Sequence, residues 1–163
     1  MLRNKLIAAV AATFMATGAF AAQSVKAVDV TADITAISNA QAAVYWANLA
    51  ADLKLAIVSR IPDRISDSGA TITVDISEIE LSNSFQELTG ASQSKLSGDI
   101  TIENRTASSG PGKYEMSVTV EQAGGFFPAG TDLATLTMDS PAYYQALIAA
   151  YADGVVRRLD DPM

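Results

Sequence analysis

The run Ala70–Phe85, ATITVDISEIELSNSF, is the longest stretch of strict two-residue alternation in the chain, and it dictates a half-buried strand. Ile72, Val74 and Ile76 fall on one face, with Thr71, Thr73, Asp75 and Ser77 on the other. From Ile79 the apolar row moves by one, so that Ile79, Leu81 and Phe85 occupy odd positions. A straight strand would turn that second set into water. One extra residue near Ser77–Glu78, a β-bulge, returns it to the buried side.

Other segments repeat the pattern. Val28, Val30, Ala32 and Ile34 alternate with Asp29, Thr31, Asp33 and Thr35 in a first strand within Val25–Ala36. Leu96, Ile100 and Ile102 alternate with Ser97, Asp99, Thr101 and Glu103. Tyr114, Met116, Val118 and Val120 alternate with Glu115, Ser117, Thr119 and Glu121. Leu133–Met138 is expected as a short edge strand. The second, third and fourth strands read as an antiparallel meander, dry on one face and wet on the other.

Two helices complete the order. Ser38-Asn39-Ala40-Gln41 has the S-x-x-Q form of a capping box, and a helix is expected from there to about Arg60, before Pro62. Ala42, Trp46, Leu49, Leu53, Ala56 and Ile57 make its apolar stripe. Val44, Leu55 and Val58 form a second patch on its far side. Ser140-Pro141 starts the final helix, with Tyr144, Leu147, Ile148, Tyr151, Val155 and Leu159 facing inward. Arg157 and Arg158 sit near its C-terminus, where the helix dipole favours cations. The expected fold is α+β: a two-layer sandwich with a four- or five-stranded antiparallel sheet and both helices on one face, in the order β-α-β-β-β-(β)-α. No family-specific motif is present. The order of elements resembles that of small accessory domains of the bacterial envelope, a likeness of topology alone.

Composition excludes more chemistry than any motif adds. The 163 residues contain no cysteine and no histidine. Disulfides, thiolate nucleophiles, Ser–His and Cys–His activation and the usual ligands of zinc, copper and iron are all missing. Arg3 and Lys5 precede an apolar run from Leu6 to Phe20, and Ala19-Phe20-Ala21 has the small-x-small form of a cleavage site. Residues 1–21 therefore read as an export signal and 22–163 as one domain. Without a cysteine after the signal, lipid attachment is excluded. Loss of Arg3 and Lys5 with the leader leaves 9 of 11 basic side chains against 18 acidic ones, a net charge of −9. That balance argues against nucleic acid and anionic lipid, and for an exported protein, periplasmic or secreted, without a stable membrane span.

Three short motifs fail on context. Ala107–Tyr114, ASSGPGKY, lacks the Ser or Thr that a phosphate loop places after its lysine, and it leads into a strand. Ser92-Gln93-Ser94-Lys95 fits S-x-x-K without the accompanying S-D-N and K-T-G motifs. The carboxylates of the wet face (Asp75, Asp99, Glu103, Glu115, Glu121) lack calcium-loop spacing. No cofactor and no metal site is expected, and no catalytic residue is assigned.

Contact surfaces carry the functional reading. Phe126 and Phe127 lie between the pair Gly124-Gly125 and Gly130, as an apolar tip or a plug, and Val44, Leu55 and Val58 offer a second patch. A non-catalytic accessory factor of the cell envelope is expected, its partner another envelope protein or a second copy. Two alternatives stand beside it: a carrier with an apolar pocket lined by Trp46, Tyr144 and Tyr151, and a glycan hydrolase using Glu78 and Glu80.

Overall fold

The computed structural model describes residues 23–35, 37, 43–44, 46–81, 94–103, 112–132, 136–137 and 140–160. The leader, the capping box at 38–41 and the loop at 104–111 lie outside them. The described elements are β1 (Val25–Ala32), α1 (Leu49–Val58), β2 (Ala70–Glu80), β3 (Lys95–Glu103), β4 (Gly112–Thr119) and α2 (Pro141–Asp160). The four strands form one sheet in the order β1-β2-β3-β4.

The sheet is mixed, not antiparallel throughout. β2–β3 and β3–β4 are antiparallel, but β1 runs parallel to β2, with Val28 beside Ile72 and Val30 beside Val74. The helix between the first two strands carries the reason. A chain that leaves one strand, crosses the sheet face as a helix and re-enters next door has reversed twice, so it returns in its first direction. Of the expected fifth strand, Leu136 and Thr137 are described and are not in a strand; the rest lies outside the described residues.

The bulge is where the phase slip requires it. Ile76 pairs with Gly98 and Glu78 with Ser97, leaving Ser77 as the extra residue. Ile72, Val74 and Ile76 have no exposure, and Ile79 beyond the bulge is 5% exposed. Ile100 and Val118 point into the same layer, at 0% and 6%. Thr73, Asp75, Asp99, Glu103, Glu115 and Ser117 face water, whereas Glu121 lies in the turn after β4.

Both helices cover the dry face and touch each other, α1 above β1 and α2 above β3 and β4. The expected helix is interrupted: Ala43, Val44 and Trp46 are helical, Ala47 and Asn48 form a turn, and α1 proper starts at Leu49. Trp46, Leu49, Leu53 and Ile57 are nevertheless fully buried at three- and four-residue steps. α2 starts as the sequence predicts, with the Tyr143 N–H donating to Ser140 Oγ at 3.2 Å. The helices are tied at three levels. Trp46 meets Tyr144 edge-on at 4.9 Å, the Tyr144 hydroxyl donates to Asp52 Oδ2 at 2.6 Å, and Arg60 donates to the carbonyls of Ala56 and Ala149. Arg64 adds an ion pair to Asp160 at 2.6 Å. Among the described residues no helix is long and apolar enough to cross a membrane.

Candidate functional site: a groove beside the edge strand

β4 is the last strand of the sheet, and α2 lies along it in the opposite direction. Met116 touches the helix at Gly154, and the Arg158 guanidinium lies 5.3 Å from the centre of the Tyr114 ring. The spacing follows from geometry: two strand residues advance about 6.6–6.8 Å and four helix residues about 6 Å, so 114 and 116 keep step with 158 and 154. Glycine and alanine at Gly154 and Ala150 keep the helix face low. A groove of about 510 Å³ opens between strand and helix. Met116 and Val118 form its strand wall, Ala150 and Gly154 its helix wall, and Phe126 its far end. Arg157 and Arg158 stand at the other end, and Ser117 and Gln122 along the rim.

The strand edge is open along part of its length. The Val120 N–H donates to the Ser94 carbonyl at 3.3 Å, so even residues of β4 turn their main-chain groups toward β3. Odd residues turn theirs outward. Thr119 is closed off, because its N–H donates to Gln122 Oε1 at 2.9 Å. Glu115 and Ser117 have no such cap, and among the described residues nothing bonds to their outward main-chain groups.

The two phenylalanines separate cleanly. Phe127 packs against the core, and Phe126, 36% exposed, lines the groove. The second patch splits too: Val44 and Leu55 are 78% and 67% exposed, but Val58 packs against the core and is not on the far side. The structure does not bring Phe126 together with Val44 and Leu55 on one groove wall.

The other candidates occupy structural positions. Glu78 and Glu80 sit on an interior strand, not an edge, and converge on Lys95 at 2.9 and 3.8 Å. The hydrogen bond that the Lys95 ammonium donates to the Glu78 carboxylate is the main cause that raises the lysine's pKa above its ordinary value. Trp46 and Tyr151 have no exposure and Tyr144 is 7% exposed, all three within the packed core. Lys95 of the S-x-x-K match begins β3, and Ser94 is buried against the Tyr143 hydroxyl. Gly112, Lys113 and Tyr114 belong to β4. Among the described residues, no three of the metal-ligating types gather at one point.

The sequence does not name the arginine end of the groove. Arg157 and Arg158 satisfy the helix-dipole argument and invite no second one. The available signal is that Ala150, Gly154 and Arg158 recur every four residues, which puts two small side chains and a cation on one helix face.

The sequence matches no family model and no characterised protein. Among solved structures, similarity extends to a lipoprotein candidate of Caulobacter crescentus CB15, with a TM-score of 0.35 and 12% identity over 83% of this chain and 93% of that one.

Proposed function

We propose that the chain is an exported accessory domain of the cell envelope that works through protein contact and not through catalysis. The groove between β4 and α2 carries the reading: it joins an apolar floor, a partly uncapped strand edge and two guanidiniums on one side of an otherwise acidic protein. The leader-like N-terminus and the excess of acidic side chains support export. Glu78 and Glu80 share the Lys95 ammonium in an ion-pair cluster on an interior strand, which supports a structural role for them.

The test is made in cells. A photo-crosslinking residue replaces Phe126 in one strain and the exposed Leu55 in another, and the envelope fraction is irradiated. A discrete protein adduct from position 126 is expected. No adduct from 126, or recovery of the chain in the cytoplasm with its leader intact, would reject the proposal.

A further inference from the structure

We propose that the groove binds an extended, acidic peptide segment of another protein, which adds to the sheet as a fifth strand along β4. The inference rests on the contact reading above and names the kind of partner. Three independent features converge on it. The outward main-chain groups of Glu115 and Ser117 offer the hydrogen bonds that an added strand needs. Side chains of such a strand alternate between the two faces, so every second one falls into the groove. There the floor is Met116, Val118 and Phe126, and the low helix surface at Ala150 and Gly154 leaves room for it. The third feature is charge.

The groove ends at Arg157 and Arg158 in a chain that has 11 basic and 18 acidic side chains. Elsewhere an acidic peptide is repelled; at this end it is attracted. Arg157 holds Asp153 at 2.9 Å across one turn of the helix, and its side chain is 73% exposed. An exposed pair of this kind is weak, so an incoming carboxylate can displace Asp153. A second copy of the chain fits less well, because edge-to-edge pairing of β4 with β4 would bring the acidic wet faces of two chains with a net negative charge together.

A displayed library of random dodecapeptides, selected against the purified protein, tests the proposal. Enriched peptides are expected to alternate apolar residues and to carry Asp or Glu toward one end. The enriched consensus, made with a fluorescein label, should bind at least tenfold more weakly to Arg157→Glu and to Ser117→Pro, and severalfold more tightly to Asp153→Asn. Its affinity should fall as salt rises. Proline at 117 removes an outward N–H, a substitution that edge strands accept. If it unfolds the protein, the arginine and aspartate variants still decide. Leu55→Ser should bind as the wild type does. No enrichment, enrichment of basic peptides, or binding indifferent to Arg157→Glu would overturn the proposal. So would a concentration-dependent dimer that Arg157→Glu strengthens, since a second copy would then be the occupant. A crosslink at position 126 without peptide enrichment would keep the contact reading and reject strand addition.

Discussion

Gly98 lies directly across from Ile76, at the point where β2 carries one residue more than β3, and the main chain of Asp75 occupies the space that a side chain at 98 would need. A Cβ built there would stand 2.2 Å from the Asp75 carbonyl oxygen and 2.9 Å from the Ile76 Cα. The bulge pushes one strand toward the other, and glycine is the residue that permits the approach.

Gly98→Ala should therefore be among the most damaging small substitutions in the protein. The obstructing atoms are main chain and cannot swing aside, so the sheet must shift. A loss of about 1–3 kcal/mol is expected, the range for overfilling a packed interior. Urea unfolding should show a lower midpoint with an unchanged slope. Gly124→Ala and Gly125→Ala are the controls, because nothing lies within 4 Å of a Cβ at either site. A Gly98→Ala midpoint equal to theirs would mean that the bulge does not bring the strands this close.

The wet face holds a second constraint. Asp75 pairs with Asp99 and Asp99 with Glu115, so three carboxylates stand in a row across three strands. Asp75 accepts a hydrogen bond from Thr31 at 2.8 Å, but Asp99 sits between two like charges. Like charges directly opposite each other oppose pairing by roughly 0.2–1 kcal/mol per pair. Asp99→Thr should raise the melting temperature at low salt, and the gain should shrink in 1 M sodium chloride, where the screening length is about 3 Å. A gain independent of salt would point to strand propensity and not to charge.

The dry layer was legible in the sequence because each strand states its own phase. The slip between Ile76 and Ile79 foretells the bulge, and Ser140-Pro141 foretells the start of α2. Strand direction is not written that way: Val28 and Val30 alternate identically whether β1 runs with β2 or against it. Only the helical crossover decides, and its consequence is topological. The groove was half legible. Phe126 and Phe127 announce an apolar site by composition, but which ring turns inward depends on the short 3-10 turn at Gly124–Phe126. That Arg158 meets Tyr114 depends on how the helix lies on the sheet, which no local pattern records.

Tyr151 is fully buried, and its hydroxyl has no hydrogen-bond partner among the described residues. A buried, unpaired polar group costs about 1–3 kcal/mol, so Tyr151→Phe should stabilise the protein by about 1 kcal/mol or more. Burial, with the Asp99 charge as a lesser cause, holds the phenol's proton well above the ordinary 10.0. Above pH 10 the unfolded chain loses that proton while the folded one retains it, so wild-type stability should fall as pH rises. Lys95, also raised, adds to the same decline. The difference between wild type and Tyr151→Phe isolates the phenol: the two should be parallel below pH 9 and diverge above 10. Curves that remain parallel to pH 11 would place the hydroxyl in contact with water.

Phe126 and Phe127 are adjacent and should behave oppositely. Phe127 packs against the core, and exchanging its ring for a hydroxyl removes apolar contacts that no neighbour replaces. A loss of about 1–3 kcal/mol is expected for Phe127→Ser, below the 3–5 kcal/mol typical of a fully buried ring because this one is only partly covered. Phe126 closes the end of the groove and is 36% exposed, so Phe126→Ser should shift the urea midpoint little, within about 0.5 kcal/mol. Its effect should instead fall on binding of the consensus peptide, which loses the apolar end of its floor. Measured together, the two variants separate folding from recognition along one dipeptide. If Phe126→Ser destabilised as much as Phe127→Ser, both rings would be core, and the groove would lack the apolar end that an added strand requires.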